Sequence, residues 1–89
     1  MIIKLKGAQE AAGTSSTNGS NVGSATLVLV QNTSTTAYLV TLETAAASPA
    51  LIGSFTIMPN STARLVKEPT DEVFAANAAI KLTPIGYTI

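Results

Sequence analysis

The chain has 89 residues, with five basic and five acidic side chains, no histidine and no cysteine. That length supports one modest core and not two. The missing residue types rule out disulfides and the best transition-metal ligands, and with them the usual general base and thiolate nucleophile. The reading is a non-enzyme without a cofactor. Zero net charge with so few cations also argues against a nucleic-acid partner, which needs clustered Lys and Arg. Oligomerisation or docking on a larger partner remains as the way to support so small a domain. A neutral, Ser/Thr-rich surface can be covered by neighbouring protein without a large desolvation cost.

In chain order, Ile2, Ile3 and Leu5 interleave with Lys4 and Lys6, the pattern of an edge strand guarded by lysines. Residues 7–23 (GAQEAAGTSSTNGSNVG) are nearly free of large apolar side chains and read as a flexible loop or arm, able to order on a neighbouring subunit. Residues 24–30 (SATLVLV) have the composition of a central strand buried on both faces. After the turn chemistry of residues 31–36 (QNTSTT), residues 37–43 (AYLVTLE) form the returning strand of a hairpin. Residues 44–49 are too short for a helix and end in Pro49, so they read as a loop.

Residues 52–58 (IGSFTIM) and 62–68 (TARLVKE), joined by Pro59-Asn60-Ser61, form a second expected hairpin. Val73 to Ala75 read as one helical turn capped by Thr70 or Asp71, with Phe74 plugging the core. Residues 79–82 and 85–89 complete one strand interrupted at Pro84, which belongs at an edge or bulge. The whole is expected to be all-β, a small single-domain β-sandwich or partly open barrel of about six or seven short antiparallel strands. Its expected core is Leu27, Leu29, Val40, Leu42, Phe55, Ile57, Leu65 and Phe74.

Few residues invite chemistry. Glu68, Asp71 and Glu72 cluster, but their spacing matches no calcium loop, so they read as a solvated turn. Arg64 and Lys67 suggest ion pairing with them, within the chain or across a subunit boundary. Arg64, Lys67, Glu68, Asp71 and Glu72 are therefore the expected partner contacts. The sequons at Asn18, Asn32 and Asn60 read as turns. Saccharide sites usually need aromatic platforms, and only Tyr38, Tyr87, Phe55 and Phe74 are aromatic. The longest near-apolar run, Ala25 to Val30, is far short of the roughly 18 residues of a membrane span, and no signal peptide is visible.

A resemblance narrows the function. Asn32-Thr33, Tyr38 to Thr41, Gly53 to Ile57, Asn60 and residues 67–75 (KEPTDEVFA) follow a pattern that resembles small structural proteins of tailed bacteriophages, particularly those of cyanobacteria and marine bacteria. The resemblance covers about two thirds of the chain and excludes residues 7–23. It implies a virion role: a capsid decoration or cement protein, made in the host cytoplasm and located on the capsid surface. Its partners would be the major capsid protein and further copies of itself, with no membrane involved. The residues alone equally admit a tail, collar or connector component, with a host-surface or glycan-binding module as a further alternative.

Overall fold

The computed structural model describes residues 2–88, so Met1 and Ile89, the last residue of the expected closing strand, lie outside the described residues. Eight strands and one 3-10 turn are present among them. The strands are β1 (Ile2–Leu5), β2 (Glu10–Ala11), β3 (Leu27–Asn32), β4 (Tyr38–Glu43), β5 (Leu51–Ile57), β6 (Thr62–Val66), β7 (Glu72–Ala75) and β8 (Ile80–Thr88); the 3-10 turn is Ser16–Asn18. All pair antiparallel, in two sheets. One sheet runs β1-β8-β3-β6, with β2 following β1 along the same edge of β8; the other runs β5-β4-β7. The protein is thus an all-β sandwich, as composition and turn spacing suggest.

Alternation decides which side chains fill the space between the sheets. Val28 and Val30 from β3, Ile80 and Leu82 from β8, Val40, Ile57, Val73 and Ala75 from the other sheet, and Ala12 and Val22 from the segment before β3 form the core. Tyr38, Leu42, Phe55, Ala63 and Leu65 pack against it. β3 is central in its sheet but not buried on both faces: Leu27 and Leu29 alternate to the outer side, half-buried, so neither is a core residue. Phe74 is likewise not a core plug. Residues 72–75 are too few to nucleate a helix, and they pair with β4 as a strand whose Val73 and Ala75 point inward.

Neither expected hairpin forms. β3 is already flanked by β8 and β6, and β4 by β5 and β7, so the turns after β3 and after β5 each carry the chain from one sheet to the other. Sequence spacing cannot distinguish such an arch from a hairpin, because both need two strands and a short polar turn.

Residues 7–23 contribute more structure than their composition suggests. Ala12 and Val22 enter the core, and Gly13 and Ser20 bridge to β7. Val22, Gly23 and Ser24 take φ of 53°, 65° and 58°. For a β-branched residue that backbone costs on the order of 1–3 kcal/mol; complete burial of Val22 offsets a cost of that size.

Pro84 does not lie at a sheet edge but within β8, with β3 on one side and the junction of β1 and β2 on the other. Its carbonyl accepts from Lys6 N at 2.9 Å, and its missing N–H falls where β1 ends. Gly7 follows because a Cβ there would lie 2.8 Å from the Pro84 ring.

Candidate interaction surface

The register places a second apolar layer on the outside of the five-stranded sheet. Ile3 and Leu5 of β1 lie opposite Tyr87 and Ile85, Thr83 lies opposite Leu29, Leu29 opposite Arg64, and Leu27 opposite Val66. Directly opposed residues share a face, so all of these side chains belong to one outer surface. Leu5 is 69% and Val66 75% exposed, Ile3 and Tyr87 are exposed, and Leu27 and Leu29 are half-covered. Ile85 is buried yet does not belong to the core cluster.

Among the described residues, charge on this face is confined to Arg64 near the middle and Lys81, opposite Gln31, at one end. Arg64 reaches across β3 and donates from Nη1 to the Tyr87 hydroxyl at 3.0 Å. This contact lays the Arg64 stem along the strand surface between them, where its methylenes add to the apolar area. Lys81 donates to the Ala78 carbonyl at 3.0 Å.

The expected contact residues do not gather on one surface. Lys67, Glu68 and Asp71 form a turn after β6, in which the Asp71 carboxylate accepts from Glu68 N at 3.3 Å. Lys67 is only 5% exposed, and its ammonium donates to the carbonyls of Glu68 and Pro69 at 3.1 and 3.3 Å. Burial lowers its pKa below the ordinary lysine value, partly countered by the nearby Asp71 charge. Arg64 is turned instead to Tyr87, so within the chain the expected pairing of Arg64 with this turn does not form. Glu72 stands apart on β7, opposite Glu43. The signal that sequence reading missed is in β1, β3 and β8: their apolar residues fill both alternating positions, so one set had to face outward.

A second apolar feature lies between the sheets, where β5 and β6 leave a cavity of about 210 Å³ lined by Val40, Leu42, Gly53, Ser54, Phe55 and Leu65. Ser54, the one polar residue of this lining, alternates with Gly53 and Phe55 to the other face, so the cavity lacks the converging polar groups that orient a small ligand. Among the described residues no three His, Cys, Asp or Glu side chains converge as a metal centre.

Comparison of the chain with protein-family models, with curated proteins and with solved structures finds no match.

Proposed function

We propose that the protein is a non-enzymatic structural component of a tailed-phage virion: a capsid decoration or cement protein that sets the outer face of its five-stranded sheet against the major capsid shell. The carrying observation is the apolar layer of Ile3, Leu5, Leu27, Leu29, Val66 and Tyr87 on the side of the sheet away from the core. Such a face is costly to leave in water and carries little charge to desolvate when covered. Many copies on one shell add modest contacts into strong retention. The resemblance to phage structural proteins supplies the setting.

A tail, collar or connector component would use the same face to close a ring, and copy number separates the two. The glycan-binding reading keeps a single aromatic platform, since Tyr38 packs against the core while Tyr87 is exposed with its hydroxyl held by Arg64. The test is quantitative mass spectrometry of purified particles against the major capsid protein. A ratio between about one-to-one and one-to-three supports the shell role through its multivalent logic. A ratio of a percent or less moves the protein to the tail, and absence from particles overturns the virion reading.

A further inference from the structure

We propose that Glu43 and Glu72, beneath the turn formed by residues 13–20, hold a calcium ion. The two residues are directly opposed in the β4–β7 register, on the outer face of the three-stranded sheet. Gly13 and Ser20 both bridge to β7, and between them Ser16 and Gly19 come over Glu43 and Glu72. Glu43 is consequently only 4% exposed. Its Oε2 accepts from Ser16 Oγ at 2.7 Å, but its Oε1 is buried with no hydrogen-bond partner.

That unpartnered oxygen and the second carboxylate approach the same side of Gly19. A Cβ added at Gly19 would lie 3.1 Å from Glu43 Oε1 and 3.2 Å from Glu72 Oε1. Like charges directly opposed across two strands are destabilising, and a buried carboxylate without a counter-charge is more so. Three of the chain's five basic side chains are committed elsewhere. Arg64 and Lys81 lie on the outer face of the other sheet, bonded to Tyr87 and to the Ala78 carbonyl, and Lys67 is held in the turn after β6. Glu10, bonded to Ser20 Oγ next to Gly19, adds further negative charge.

A divalent cation resolves this arrangement, and the donor set selects which one. All the available ligands are oxygens: two carboxylates, the Ser16 hydroxyl, the carbonyls of the covering turn and water. A hard ion that accepts six to eight oxygens at irregular angles suits them, and calcium does so more readily than magnesium, which demands a near-ideal octahedron. With only two carboxylates the affinity belongs in the weak range of about 0.1 to 1 mM typical of extracellular modules.

The experiment is thermal unfolding and isothermal titration of the purified chain, with calcium, with magnesium and with chelator. About 5 mM calcium is expected to raise Tm by roughly 4 °C or more, with one site per chain and a smaller response to magnesium. Glu72→Gln, on the partly exposed partner, should fold and lose the response; Glu68→Gln and Asp71→Asn, in the neighbouring acidic turn, should keep it. In the wild-type chain, calcium should shift the amide resonances of residues 16–20 first. Absence of both heat and stabilisation at millimolar calcium overturns the proposal, as does a response that survives Glu72→Gln or vanishes in the acidic-turn variants.

Discussion

The side-chain amide of Asn32, at the end of β3, donates to the main-chain carbonyl of Ile57, at the end of β5, at 3.3 Å. It also donates to the Thr36 carbonyl at 2.7 Å, while its Oδ1 accepts from Ser34 N and Ser34 Oγ. The main-chain N–H of Asn32 reaches the Ser61 carbonyl at 2.9 Å. One side chain, 3% exposed, therefore ties together the two turns that carry the chain between sheets. Asn32→Ala removes both donors: the buried Ile57 carbonyl loses this bond, whereas the exposed Thr36 carbonyl keeps Ser34 Oγ, for an expected loss of about 1–3 kcal/mol. Asn32→Asp should be no better, because a carboxylate accepts but cannot donate. Urea unfolding checks both, and a loss below about 1 kcal/mol for either would mean that water satisfies the turns.

Strand positions were legible because β-branched residues and turn residues alternate so regularly, and the all-β class follows from them. Pairing was not legible. Whether QNTSTT returns the chain beside itself or across to another sheet depends on what already occupies the edges of β3, and that is decided by β6 and β8, which come later in the chain. Facing was misread for a related reason: in SATLVLV every residue from Leu27 to Val30 is apolar, so alternation carries no contrast, and size alone favours the leucines as core candidates. The Glu43–Glu72 juxtaposition lies 29 positions apart in sequence and depends on the same strand order.

The reversal of facing in β3 gives a direct comparison. Val28 is fully buried in the core, whereas Leu29 lies half-covered on the outer face. Val28→Ala should cost about 2 kcal/mol from lost burial and the cavity it leaves. Leu29→Ala, although it removes more atoms, should cost about 1 kcal/mol or less. The opposite ranking in chemical denaturation would place Leu29 inside the sandwich.

Gly53 faces the opening between β5 and β6, and a Cβ placed there meets nothing within 4 Å. Its φ lies outside the left-handed region, so a side chain is compatible with the strand. Gly53→Ala should stabilise the fold by roughly 0.5–1 kcal/mol through reduced freedom of the unfolded chain, and Gly53→Val somewhat more by also covering Leu42, Phe55 and Leu65. A rise in Tm of about 4 °C or more is expected for Val, and a fall would show that the opening is needed for a bend in β5.

Val66 and Leu5 offer a test of the outer face that spares the core. Both are more than two-thirds exposed, so Val66→Glu or Leu5→Glu should change stability by no more than about 0.5 kcal/mol. Leu5 and Val66 lie on β1 and β6, the two margins of the face, and a carboxylate covered there by a partner costs far more to remove from water than the methyl groups it replaces. Addition of the variants to particles stripped of the wild-type protein should therefore show binding weakened at least about 10-fold at unchanged Tm. Undiminished binding would locate the contact elsewhere on the molecule.

Lys67 predicts a pH dependence whose sign follows from its burial. The lowered pKa means that, between that value and the unfolded value of about 10.4, the unfolded chain binds more protons than the folded one. Stability should then rise with pH across that window, as the folded ammonium gives up its proton and the desolvation penalty disappears. Below the window the charged form persists in both states and the penalty is constant. The neutral amine still donates to the Glu68 and Pro69 carbonyls, so the turn survives deprotonation. Lys67→Met keeps the aliphatic stem and removes the titrating group. Its two freed carbonyls belong to exposed residues that water can reach, so the variant should fold and lose the alkaline rise. Urea midpoints measured from pH 7 to 10.5 on both proteins decide the matter, and an equal slope in the two would assign the rise to another group.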